Sequence, residues 1–130
     1  MAIRVRSLDH FVLRVRDLDA SLRFYRDILG LAAENEAECR QGTRPFVSLR
    51  VGHQLLDLVP DPTYDPTGVG GFLHFCVTID GALAPVVARL RELGVPLLHE
   101  EPVMRGGARG EGLSIYARDP DGYMIELKTH

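Results

Sequence analysis

The 130-residue sequence predicts an α+β protein built from two βαβββ modules. Three observations predict it. A strand-then-helix pattern recurs with its landmarks in step, His10 and His74, Leu29 and Leu93, and Gly30 and Gly94 each being 64 residues apart. Each recurrence is followed by material for three further strands. Each half then ends on an apolar-acidic-apolar triplet, Leu56-Asp57-Leu58 in the first and Ile125-Glu126-Leu127 in the second. On this basis residues 7–59 form the first module, residues 60–70 a linker and residues 71–128 the second module of one domain.

In chain order, residues 7–15 alternate as a strand, with His10 on one face and Phe11, Leu13 and Val15 on the other. Asp17 or Asp19 can cap a helix whose apolar stripe is Leu22, Phe24, Tyr25, Ile28 and Leu29, and Gly30 suits its C-terminal stop. Residues 31–38, 44–51 and 53–59 read as strands, the last two joined by a turn at Gly52. Residues 60–71 are rich in Pro, Gly and Asp and read as a connector. The second half repeats the order. Residues 71–79 form a strand with His74 placed as His10 is, Asp80 is a candidate cap, and Leu83, Val86, Val87, Leu90 and Leu93 are a helical stripe stopped by Gly94. A strand is expected over residues 96–104, and a glycine-rich hairpin loop, mobile enough to cover a site, over residues 105–112. The chain closes with strands 113–117 and 123–128 around an Asp119-Pro120-Asp121-Gly122 turn.

Composition excludes several functions. The formal charge of −3 and pI near 5.9 give no basic field for nucleic acid. No apolar run approaches the ~20 residues of a membrane span, and the N-terminus has no apolar leader, so a cytoplasmic protein is expected. Cys39 and Cys76 read as reduced thiols rather than a disulfide framework. Of the 15 Lys and Arg residues, Lys128 alone is lysine.

The polar residues inside the strands carry the chemistry. Glu126 stands mid-strand among apolar neighbours, where a carboxylate is costly to bury unless paired or bound to a metal. Alternation puts His10, His74, Asp57 and Glu126 on strand faces opposite to the apolar runs. Two imidazoles with one carboxylate suit ferrous or manganous ions, and a second carboxylate moves the set towards octahedral Ni, Co, Zn or Mn. Asp57, one methylene shorter than Glu126, either completes the set or falls short of the ion. Tyr116 and Ser114 share a strand face. Tyr116 is either a residue that orients or protonates a bound oxyanion or a core aromatic with a hydrogen-bonded tip. Phe46, Ser48 and Arg50 form a second alternating set.

These residues resemble the vicinal oxygen chelate superfamily, which includes glyoxalase I, extradiol dioxygenases, fosfomycin-resistance thiol transferases and bleomycin-binding proteins. The resemblance is carried by LDHFVL with His10, FYRDILGL, LHFCV with His74, and RDPDGYMIEL with Glu126, and it covers residues 7–128. It implies curved sheets around a metal and substrate cavity, with His10, His74 and Glu126 as metal ligands and Asp57 at a fourth position. It also implies a small-molecule substrate and a homodimer. Within the family, Glu126 and Tyr116 as catalytic residues, with Tyr116 just before the DPDG turn, favour chemistry similar to an extradiol dioxygenase using Fe(II) or Mn. A glyoxalase I-like lyase using Ni, Zn or Co is the alternative. A non-catalytic bleomycin-type antibiotic-binding protein is the alternative from another class. Where ring-cleaving relatives place a histidine shortly before the tyrosine, this chain has Arg105 and Arg109.

Overall fold

A computed structural model of the protein describes residues 2, 4–68 and 73–130. The chain divides into two compact units, Met1–Asp65 and Pro66–His130. Residues 71 and 72 of the second predicted strand, and 69–71 of the predicted connector, lie outside the described residues.

In the first unit the order is β1 (His10–Val15), α1 (Leu18–Leu22) continuing as a π-helix over Arg23–Ile28, β2 (Ala32–Glu34), α2 (Glu36–Arg40), β3 (Val47–Val51) and β4 (Gln54–Pro60). The strands form one mixed sheet in the order β1-β4-β3-β2, with β1 parallel to β4 and the other pairs antiparallel. On the predicted apolar face Leu13 and Val15 are buried and Phe11 is half-buried, while His10, Val12 and Arg14 are exposed. Asp17 caps α1, its carboxylate accepting from the Ala20 amide at 3.2 Å. The π turn brings Leu29 N–H onto the Phe24 carbonyl at 3.0 Å. The wider turn buries Ser21, Leu22, Phe24 and Tyr25 together, so two adjacent aromatics face the sheet. Each fully buried leucine here, Leu22, Leu49, Leu56 and Leu58 among them, is worth ~1.5–3 kcal/mol. Exposed ion pairs such as Arg40 with Glu36 are worth about 1 kcal/mol at most. The helix-on-sheet core therefore holds this unit.

The second unit repeats that plan. Its elements are β5 (His74–Thr78), α3 (Leu83–Glu92), β6 (Val103–Arg105), β7 (Gly112–Arg118) and β8 (Met124–Lys128), in the sheet order β5-β8-β7-β6 with β5 parallel to β8. Leu83, Val87 and Leu90 are the buried stripe of α3. Gly30 and Gly94 both end their helices with positive φ, 79° and 71°, a conformation only glycine adopts without cost. At the β7–β8 turn the Gly122 amide donates to the Asp119 carbonyl at 3.0 Å, and the Asp119 carboxylate accepts from the amides of Asp121 and Tyr123 at 2.9 and 2.8 Å.

Three expectations are corrected. The strand expected over residues 31–38 ends at Glu34, because Asn35 takes a left-handed φ of 65° and turns the chain into α2. The strand expected over residues 96–104 forms only at Val103–Arg105, with a single bridge from Leu97 to Ala117. Pro96 and Pro102 lack the N–H a ladder needs. Asp80 does not cap α3, whose cap position is Ala82 with no side-chain hydrogen bond.

Candidate functional site

The two central strands carry the acidic residues. In β8 every residue is buried, so Glu126 sits among core side chains at 4% exposure. Its carboxylate is held from three sides. Ser114 Oγ donates to Oε2 at 2.6 Å, His74 Nε2 lies 3.0 Å from Oε1, and Tyr116, its cross-strand partner, adds its hydroxyl. A carboxylate only accepts, so the His74 contact is an N–H donation from Nε2. Burial pushes the Glu126 carboxyl up, but the bonds from Ser114 and Tyr116 and the His74 imidazole outweigh it and leave the group below its ordinary value. Glu126 is thus ionised at neutral pH.

Tyr116 stands at the centre of this face. The His74 ring meets it edge-on with centroids 5.2 Å apart, the His99 ring does so at 5.9 Å, and the Arg105 guanidinium lies 5.9 Å from its ring centre. Burial and then the charge of Glu126 push the phenol up, with Arg105 opposing, so it keeps its proton at neutral pH. Cys76 is opposite Glu126 on β5, and burial followed by the Glu126 charge pushes its thiol up to about 11. It is therefore protonated, not a thiolate nucleophile, at neutral pH. A cavity of ≈ 370 Å³ in the same unit is lined by Arg91, Val95, Leu97, Leu98, His99 and Glu100. It adjoins Tyr116 through the Leu98 amide, which donates to the Tyr116 carbonyl at 3.0 Å, and through the ring of His99, which the repeat gave no reason to single out.

The first unit places its pair differently. Asp57 is 5% exposed and accepts from Ser48, its cross-strand partner, at 2.6 Å. His10 turns its Nδ1 to the neighbouring Asp9 at 2.6 Å, with half of the ring exposed. That hydrogen bond raises the imidazole above its ordinary value, with Asp57 a minor contributor. Asp9 escaped the sequence reading, although its position beside His10 was the available signal.

A divalent ion fits the second unit's donors in part. Two neighbouring ligands of an octahedral ion with bonds of about 2.1 Å are about 3.0 Å apart, the separation of Nε2 and Oε1. An imidazole nitrogen and a carboxylate oxygen are also the donor types such ions take. Among the described residues no group of three or more His, Cys, Asp or Glu side chains is gathered to hold an ion. The second unit thus presents a pair, His74 with Glu126, whereas in the first His10 is turned to Asp9 and Asp57 to Ser48.

Two mixed βαβββ sheets, each with a strand-borne histidine and a buried acid on its central strand, define the vicinal oxygen chelate class. The model of the Glyoxalase/Bleomycin resistance protein/Dioxygenase superfamily matches residues 7–127, and the chain belongs to that superfamily. The virulence protein STM3117 of Salmonella typhimurium is 32% identical over 127 residues, 95% of this chain and 83% of that protein. Lactoylglutathione lyase of the same organism is 29% identical over 124 residues, 91% of this chain and 88% of that one. The crystal structure of a glyoxalase/dioxygenase from Nostoc punctiforme superposes with a TM-score of 0.77 at 27% identity, covering 99% of this chain and 97% of that one. Members of the superfamily generally use divalent metal ions. Among the described residues no helix is long and apolar enough to cross a membrane.

Proposed function

We propose that this protein is a divalent-metal-dependent enzyme that binds vicinal oxygens of a small organic substrate. Its metal ligands in this reading are His74 and Glu126 of the second unit and His10 and Asp57 of the first, and Tyr116 is the proton-handling residue. One observation carries the reading: a carboxylate is kept in the middle of a buried strand, with one oxygen tied down by Ser114 and the other facing an imidazole nitrogen 3.0 Å away. A buried charge is expensive, and apolar residues would fill that space at lower cost.

Each residue has a distinct task. Ser114 fixes Oε2 and so aims Oε1 at His74. His74 Nε2 and Glu126 Oε1 would hold the ion, the neutral imidazole then carrying its proton on Nδ1 instead. When bound, the ion acts as a Lewis acid towards the substrate's oxygens. Tyr116, still protonated and bonded to Glu126, can donate to an oxygen that gains negative charge.

For the reaction itself, ring-opening chemistry of the extradiol type with Fe(II) or Mn is favoured by Tyr116 lying directly across the strand pair from Glu126. A second reading, isomerisation of a thiol hemiacetal with Ni, Zn or Co, is favoured by the relatives named lactoylglutathione lyase. Both readings take the protein as a cytoplasmic homodimer. Oxygen uptake by the anaerobically Fe(II)-loaded protein with a catechol panel is the expected outcome of the first. Silence there, with isomerisation of a methylglyoxal-thiol adduct by the Ni or Zn form, selects the second. Inertness in both, with tight binding of bleomycin by metal-free protein, rejects the enzyme altogether.

A further inference from the structure

The chain's single lysine is buried at 2% exposure near the end of β8, an unusual place for an ammonium. Its Nζ donates to two carbonyls, those of Arg105 and Gly112, the latter at 3.0 Å. These two residues are cross-strand partners at the mouth of the loop over residues 106–111. One cation therefore ties both ends of that loop together, and hydrogen bonds from a charged donor are roughly twice as strong as neutral ones. The loop also rests on the lysine stem: a Cβ at Gly107 would come within 2.8 Å of Lys128 Cε. At Gly112 a Cβ would meet the Thr129 carbonyl oxygen at 1.9 Å, so this glycine too is required by close approach. The loop that the sequence marks as mobile is pinned at its base.

Arg105, whose carbonyl is held, is the residue whose guanidinium lies against Tyr116. Its Nη1 donates to the Met104 carbonyl at 2.9 Å, so the side chain folds back along its own strand and depends on where that backbone sits.

We propose that Lys128 is a positioning residue: by joining the Arg105 and Gly112 carbonyls it fixes the base of the 106–111 loop and thereby holds the Arg105 guanidinium against Tyr116. A lysine that only filled space at the strand end would stabilise the loop without reaching Tyr116. The two roles separate in the metal-free full-length protein, with no substrate. In Lys128→Met, which keeps the stem and loses the donors, amide hydrogen exchange over residues 106–112 should quicken tenfold or more while β8 stays protected. The Tyr116 ring resonance, identified by its loss in Tyr116→Phe, should move in Lys128→Met in the same direction as in Arg105→Met. Combining the two substitutions should move it no further. Gly107→Ala, which displaces the lysine stem and leaves its charge, is the second variant and should give the same pair of changes should Lys128→Met not fold. Faster loop exchange with an unmoved Tyr116 resonance, or no change in either, overturns the proposal. Neither readout uses a metal or a substrate, so the result stands apart from the fate of the proposed enzyme activity.

Discussion

The two units share one register and use it differently. The residue two beyond each histidine pairs with the acid, Val12 with Asp57 in the first unit and Cys76 with Glu126 in the second. Across the sheet from the acid stands Ser48 in one and Tyr116 in the other. Asp57 is satisfied by the serine directly opposite it, and His10 turns away to Asp9. Glu126, one methylene longer, reaches diagonally to Ser114 and across to His74 while Tyr116 covers it. The lesson is that a repeated backbone leaves side-chain length and the opposing residue to decide whether an acid is merely satisfied or is aimed at an imidazole.

The largest expected effect attacks the second unit's pair. His74→Ala or Glu126→Gln should lower metal affinity by more than the roughly 10–100-fold that losing an outer partner costs, whereas Asp57→Asn should cost less. Isothermal titration with Ni or Mn would show it, and equal losses from Asp57→Asn and Glu126→Gln would erase the asymmetry between the units.

Tyr116→Phe tests the cross-strand difference. Under the proposed function it should lower kcat by ~10²–10⁴, the usual worth of a general acid, with metal content intact. An unchanged rate would reduce Tyr116 to a packed aromatic.

Smaller effects are expected in stability. Ser48→Ala strips a buried carboxylate of its 2.6 Å donor and should cost about 1–3 kcal/mol in urea denaturation. Ser114→Ala leaves Glu126 the Tyr116 and His74 contacts and should cost about 0.5–1.5 kcal/mol.

Smallest, and opposite in sign, are the two pH responses. Glu126 titrates lower in the folded protein than its ordinary 4.5, so its contribution is present above pH 4.5 and is lost as pH falls through the folded value. Glu126→Gln should flatten the acid limb of the stability curve. His10 titrates above its ordinary 6.5, so its contribution is present below pH 6.5 and is lost as pH rises through the folded value. Its bond is exposed, and Asp9→Asn should remove only a shallow slope.

Much of this was legible in the sequence because it rests on periodicity. The 64-residue repeat, the apolar faces of β1 and β5, the glycine stops and the DPDG hairpin are all local patterns. What escaped the sequence reading is tertiary. The helix at Glu36–Arg40 sets Glu36 between Arg26, ten residues away, and Arg40. The π turn in the first helix answers to burying Phe24 and Tyr25 side by side. The contacts of His99 and Arg105 with Tyr116, and of Lys128 with the loop, join residues whose spacing in sequence carries no rhythm.

A strand buried on both faces, as β8 is, also limits how this protein can change over evolution. Any new residue at 124–128 must fit the packing on both faces in one step, a demand that few substitutions meet. The β6–β7 hairpin faces a lighter demand, since Met104, Leu113 and residues 106–111 are exposed. Descendants of this chain with altered substrate preference are therefore expected to differ first around that hairpin, while the acid on the central strand stays where it is.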